Sequence, residues 1–261
     1  MDFSYKTYKN FLQVLKTKGF SFDTFTGYLQ RKAGNEPKQQ VILRHDVDRL
    51  ASNALKMAKL ENELGIQSSY YFRAVSDIFK AEIMEQIADL GHEIGYHYED
   101  LSLYDGDIDK AYDSFCQNLE EFRKIYPVKT ICMHGNPKSK YDSKEIWKKY
   151  DYRKLDIIGE PYFDIDFNQV LYLTDTGRRW DGWKVSMRDK VPEQQQWINR
   201  GMTFHSTQEI IEAAQKNQLP DKIMLTTHPQ RWTNKPWPWM KELVWQNLKN
   251  IVKYILVKNQ H

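Results

Sequence analysis

The sequence predicts an α/β fold built on a mainly parallel sheet, either a barrel or an open doubly wound sheet. Short apolar strand-like runs alternate with amphipathic helical ones, and no Gly/Ser linker or low-complexity segment interrupts the alternation. Carboxylates and imidazoles recur at the C-terminal ends of the runs, where parallel barrels gather their functional groups. The first run leads into Asp48-Arg49-Leu50-Ala51-Ser52 and not into a glycine-rich loop, which removes the main support for a Rossmann or P-loop reading.

Strands are expected at 40–46, 68–74, 92–98, 129–134, 155–159, 170–175, 183–187, 202–205 and 223–228. A helix over 50–64 carries Leu50, Ala54, Met57, Ala58 and Leu64 on one face and stops at Gly65. Further helices are expected at 77–90, ending at Gly91, and at 108–126, before Pro127. Shorter ones follow at 143–149 and at 207–216, the latter capped by Ser206 or Thr207. The stretch after Pro238, through Leu243, Leu248, Ile251, Val252 and Ile255, reads as a long final helix. All 261 residues are taken as a single domain.

The 38 basic and 35 acidic residues are spread through the chain and leave a net charge of +3, too balanced for a nucleic-acid or membrane footprint. The first residues lack a basic region followed by an apolar stretch, and no run approaches the roughly 18 apolar residues of a membrane span. The expectation is therefore a cytoplasmic protein with no membrane span; its oligomeric state is not legible. Cys116 and Cys132 have neither disulfide nor metal-ligand spacing and read as buried thiols.

Asp46 and Asp48 are one residue apart, so an extended strand turns both to one side, where they repel unless a cation or proton lies between them. Asp48 also stands where a cap for the helix over 50–64 would. His97, His134 and His228 each end a different expected strand and should converge on the face that carries Asp48, whereas His92 begins its strand and reads as structural.

The runs Val41-Ile42-Leu43-Arg44-His45-Asp46-Val47-Asp48, Ser69-Tyr70-Tyr71-Phe72, Gly91-His92-Glu93-Ile94-Gly95-Tyr96-His97 and Leu225-Thr226-Thr227-His228 resemble those of the polysaccharide deacetylase family. The resemblance, to the NodB-homology domain of carbohydrate esterase family 4, implies a distorted (β/α) barrel and a divalent metal, zinc first among candidates. It also implies a hydrolase that removes acetyl from an N- or O-acetylated sugar, in surface-polysaccharide metabolism. Other readings are a hydrolase of a different C–N bond and a carbohydrate-binding relative that has lost its metal. By the same resemblance Asp46 is the general base, Asp48 and His97 bind metal, and His228 protonates the leaving group.

The family usually places a second histidine four residues after the first, and here that position is Leu101. His134, followed by Gly135-Asn136-Pro137, is the preferred third ligand, with Glu99, which shares the face of His97, as the alternative ligand or else as a group that orients His97 or substrate. His134 also stands where the family commonly carries an arginine motif, so substrate contact is its other role. The segment from Asp175 to Trp183 reads as a substrate loop in which Arg178 and Arg179 meet an anionic group or else stay as solvated loop charges, Trp180 stacks on the sugar and Asp181 is a further substrate candidate. Trp232 is a further substrate candidate. Arg231 is expected to buttress Asp46 or stay in solvent. Arg44, on the face of Asp46 and Asp48, is expected to tune the base or touch substrate, with His45 packed behind the strand.

Overall fold

The computed structural model describes residues 1–31, 34, 36–136, 139–181 and 190–258. The strand expected at 183–187 lies outside the described residues, as do Pro137 and the end of the expected substrate loop, Gly182 and Trp183. In chain order the described elements begin with α1 (Tyr5–Thr17), β1 (Ser21–Asp23), α2 (Phe25–Gln30), β2 (Gln40–Val47), α3 (Ala51–Glu63), β3 (Ser69–Phe72) and α4 (Ala81–Asp89). They continue with β4 (Glu93–Tyr98), α5 (Asp100–Leu103), α6 (Ile108–Arg123), β5 (Ile131–Met133), α7 (Pro161–Asp164) and β6 (Leu171–Thr174). The last are α8 (Gln194–Asn199), α9 (Thr207–Gln215), β7 (Lys222–Thr227) and α10 (Pro236–Lys258).

Among the described residues every strand pairing is parallel, in the order β5-β4-β3-β2-β7-β6. β1 pairs with the first half of β2 and β3 with its second half, on the side away from β7. All eight residues of β2 are buried, as an apolar strand covered on both faces must be. Its alternation is consistent: Val41 and Leu43 join the apolar layer under α1 and α9, while Ile42 enters a second cluster with Tyr71, Cys132, Tyr172 and Met224. Cys132 and Tyr172 belong to the two edge strands, so the sheet curls until both edges feed one interior. The result is a distorted, incomplete barrel with helices outside it. Its C-terminal rim carries the carboxylates and imidazoles that the sequence places at strand ends.

The helix ends follow from local capping. Ser4, Asp107 and Ser206 accept from the backbone N–H groups of Thr7, Lys110 and Glu209, starting α1, α6 and α9. α3 begins differently, with Leu50 at φ 52° and no side-chain cap, so Asp48 does not cap it. The expected helix over 77–90 begins only at Ala81. α1 and α2 were not expected; α1 buries Tyr8, Phe11, Leu12 and Leu15 at helical spacing.

Two expected strands are corrected. Residues 155–159 leave a 3-10 turn, Tyr152–Leu155, and form one isolated bridge, Gly159 to Thr130 just before β5, because the short segment must turn at once into α7. Residues 202–205 form no strand; they connect α8 to the Ser206 cap, and the backbone N–H of Met202 turns back to the carbonyl of Trp197. Cys132 is buried as expected, whereas Cys116 is half-buried.

Candidate active site

β2 delivers the first carboxylate. Arg44 and Asp46 lie on its inner face, and the guanidinium grips the carboxylate at both oxygens, Nε to Oδ1 at 2.8 Å and Nη2 to Oδ2 at 2.6 Å. Both side chains are buried. Burial pushes the Asp46 carboxyl up, but Arg44, helped by His97, outweighs it and holds the group well below the usual carboxylate range. Asp46 is thus ionised at any ordinary pH. His45 points the other way, sharing a 2.6 Å hydrogen bond with Thr227 Oγ1 and stacking on Tyr70.

One residue past β2, Asp48 meets two imidazoles. His97, near the end of β4, donates from Nδ1 to the carbonyl of Cys132 at 2.9 Å, which turns Nε2 toward Asp48 Oδ1 at 3.5 Å. His134 follows β5; its backbone N–H bonds the carbonyl of Tyr98, prolonging the pairing of β4 with β5. Its Nδ1 donates to Glu99 Oε2 at 3.0 Å, leaving Nε2 3.4 Å from Asp48 Oδ1.

Asp48 Oδ1 is itself buried without a hydrogen-bond partner. Two donors bound at about 2.05 Å in a tetrahedral zinc-type site lie about 3.3 Å apart, close to these separations. Asp48, His97 and His134 can therefore hold a divalent cation, and their donor atoms all fall within 4.8 Å of one another. A second group of three, Asp46, His97 and Cys132, is buried, but Arg44 already neutralises its carboxylate.

Glu99 takes a different place from the alternative ligand it was expected to be. Arg73 binds its Oε1 through Nε at 2.7 Å and through Nη2, while Oε2 accepts from His134. The carboxylate orients an imidazole and is committed to two partners. Leu101 lies buried in α5 against Ala111 and Ile146, away from the donor group.

One residue past β7 stands His228, the imidazole expected to act as an acid. Its backbone N–H and Nδ1 both bond Asp175, at 3.0 and 2.6 Å, and Nε2 lies 3.8 Å from Asp48 Oδ2. Burial and the Arg231 guanidinium push the pKa of His228 down, yet Asp175 and Asp48 prevail and raise it. Asp175, one residue past β6, also accepts from Arg231 Nη1 at 2.6 Å and Trp232 Nε1 at 2.7 Å. Arg231 accordingly supports Asp175, whereas the sequence reading offered Asp46 or solvent.

Two participants were not expected. Gln230 donates from Nε2 to Asp48 Oδ2 at 3.1 Å, and Arg73 fixes Glu99 and reaches the carbonyl of Asp48. Gln230 sits two residues after His228, on the side that carries Asp48, and that offset was its available signal.

The expected substrate set is largely corrected. Trp180 is 2% exposed, donates to Thr207 Oγ1 and packs with Phe3, Phe11 and Trp232. Trp232 is fully buried on Asp175, so neither indole offers a face to a sugar. Arg178 is buried over the rings of Phe3 and Trp239, donating to the carbonyl of Trp239. Asp181 is buried against Arg179 and 3.3 Å from His205. The two indoles fill the layer beneath α1 with Phe3, Tyr8 and Phe11, because large aromatics gain most from full burial. Arg44 is the member of the set that remains in the site, where both nitrogens nearest Asp46 are engaged by it.

No family model matches the chain, and no curated protein matches it in sequence. Solved structures do resemble it. A carbohydrate esterase family 4 pseudoenzyme from Bacillus anthracis is 12% identical over 83% of this chain, with a TM-score of 0.43; the chain spans 62% of that protein's length. A family 4 carbohydrate esterase from the same organism is 11% identical over 94% of this chain and 87% of its own, with a TM-score of 0.39. A family 4 acetyl xylan esterase from Clostridium thermocellum, solved with a cobalt ion, is 18% identical over 80% of this chain and 83% of its own, with a TM-score of 0.36. The chain is thus similar to family 4 carbohydrate esterases, a pseudoenzyme among them, at low sequence identity.

Proposed function

We propose that this chain is a divalent-metal-dependent hydrolase that removes the acetyl group from an N- or O-acetylated sugar. The observation that carries the reading is the convergence on Asp48: two oriented imidazoles on Oδ1, the carboxylate of Asp46 beside them, and the Asp175-bound imidazole of His228 on the other oxygen. The choice of a sugar rests on the motif resemblance alone. Asp48, His97 and His134 would hold the ion, zinc by donor type, and the ion supplies Lewis acidity toward the acetyl carbonyl and toward water.

The chain's own residues account for the protons. Asp46, kept ionised by Arg44, accepts the proton of the attacking water on its carboxylate. Being a weak base, it depends on that water being acidified. The water oxygen bonds the acetyl carbon and the C–N or C–O bond breaks. His228, as the imidazolium that Asp175 and Asp48 favour, gives the departing nitrogen or oxygen its Nε2 proton, and Asp175 holds the Nδ1–H and so fixes the aim of the ring. Products are acetate and the free amine or hydroxyl.

The test joins metal analysis with acetate release from a panel of acetylated sugars. Protein purified without chelator should carry about one divalent ion, and Asp46→Asn should keep the ion while losing roughly 10²- to 10⁴-fold in kcat. Absence of metal binding on addition of zinc, cobalt or nickel would refute the reading. So would full activity in Asp46→Asn.

A further inference from the structure

Among its described side chains, the final helix exposes five large apolar residues and buries a polar one. In α10, Gln246 is 4% exposed, whereas Trp237 is 71% exposed and Leu248 52%, with Met240, Val244 and Trp245 also in solvent. Positions 237, 240, 244, 245 and 248 follow helical spacing, so the five side chains form one stripe. The other side holds the helix to the body: Trp239 Nε1 donates to the carbonyl of Asp2 at 2.6 Å, and its own carbonyl accepts from Arg178. A helix in water normally turns such a stripe inward, and an exposed patch of this kind marks an interaction surface.

Charge decides between the possible occupants. The helix carries Lys241, Lys249, Lys253 and Lys258 against the single acid Glu242. Pairing with the same helix of a second copy would bring these like charges together, whereas an anionic surface complements them. Indole rings suit the boundary between head groups and acyl chains, and Trp237 and Trp245 stand exposed on the stripe, with Lys249 Nζ 5.1 Å from the ring of Trp245. No helix among the described residues is long and apolar enough to cross a membrane, so such a helix would lie in the plane of the interface. We infer that α10 docks this protein onto a bilayer that contains anionic lipid. The inference rests on the helix alone and is independent of the hydrolase reading.

Vesicle sedimentation of the full chain tests it, with phosphatidylcholine vesicles compared with vesicles in which about one third of the lipid is phosphatidylglycerol. The chain should pellet with the anionic vesicles, shift its tryptophan emission to the blue, and be released by raised salt. Val244→Glu with Leu248→Glu should abolish pelleting and leave the melting temperature unchanged, because both positions are exposed. Lys249→Glu with Lys253→Glu should weaken binding at least about tenfold through charge alone. A chain that stays in the supernatant with anionic vesicles, or binds both vesicle types equally, overturns the inference. A solution dimer that Leu248→Glu splits into monomers also overturns it, since a second copy then covers the stripe.

Discussion

At residue scale the two candidates for the third ligand separate by what each side chain is already holding. His134 presents Nε2 toward Asp48 and spends Nδ1 on Glu99, whose other oxygen belongs to Arg73. In the proposed metal site, removing a ligand and removing its orienting partner have different costs. Glu99→Ala should weaken metal affinity by roughly 10- to 100-fold with binding still measurable by competition with a chelator, whereas His134→Ala should remove a donor and cost far more. Equal losses in the two variants would count against this division of roles. Leu101→His tests the same point from the other side. The new imidazole would enter the apolar pocket of Ala111 and Ile146, so it should fail to rescue His134→Ala and should lower stability by about 2–4 kcal/mol in a denaturant titration. Asp46, Asp48, His97 and His228 were legible because strand ends and alternation fix where they point. The partners of Trp180, Trp232 and Arg231 were not, since they are set by contacts across the fold, and an aromatic or arginine in a loop reads alike whether it meets solvent or core.

At the scale of elements, the inner faces of adjacent strands explain why one motif contains a glycine. Register aligns Asp46 with Tyr71 and Tyr71 with Gly95, and the Tyr71 ring crosses the space a side chain at 95 would fill. A Cβ at Gly95 would lie 2.4 Å from Tyr71 Cε1 and 3.0 Å from the carbonyl of Thr130. Tyr71 cannot retreat freely, because its hydroxyl shares a 2.8 Å hydrogen bond with Thr130 Oγ1. Gly95→Ala should therefore cost about 1–3 kcal/mol by overpacking and, by shifting β4, should also weaken metal binding at His97, two residues on along the same face. Chemical denaturation and metal titration of that one variant check both effects; an unaltered stability would mean the ring has room to move. β2, β3, β4 and β7 were legible as buried apolar runs. β1 is too short for any periodicity to show, and 155–159 has the composition of a strand but only one isolated bridge, to Thr130 just before β5.

At the scale of the molecule, the incomplete barrel leaves a gap beside β5 that a buried carboxylate spans. Glu160 accepts from the backbone N–H of Met133 in β5 at 3.0 Å and from that of Tyr162, in α7, at 2.6 Å, so it ties the segment leading toward β6 to the edge of the sheet. Burial raises its carboxyl from an ordinary value of 4.5 to about 7, against the opposing pull of those two N–H groups and of Arg44 and Lys144. An acid whose folded pKa lies above its unfolded one contributes stability that is fully present below the unfolded value and is lost as pH rises through the folded value. The window is thus pH 4.5 to about 7. Across it the folded state should lose on the order of 3 kcal/mol relative to a variant without the titrating group, with little further change above. Glu160→Gln supplies that reference. The amide's own cost or benefit is constant with pH, so only the slope of the difference carries information. Unfolding free energies of both proteins, measured by urea titration from pH 4 to 8.5, should diverge steadily in favour of Glu160→Gln between those two values. Parallel curves would mean that the two N–H donors hold the carboxylate ionised despite its burial, and that the seam beside β5 is insensitive to pH.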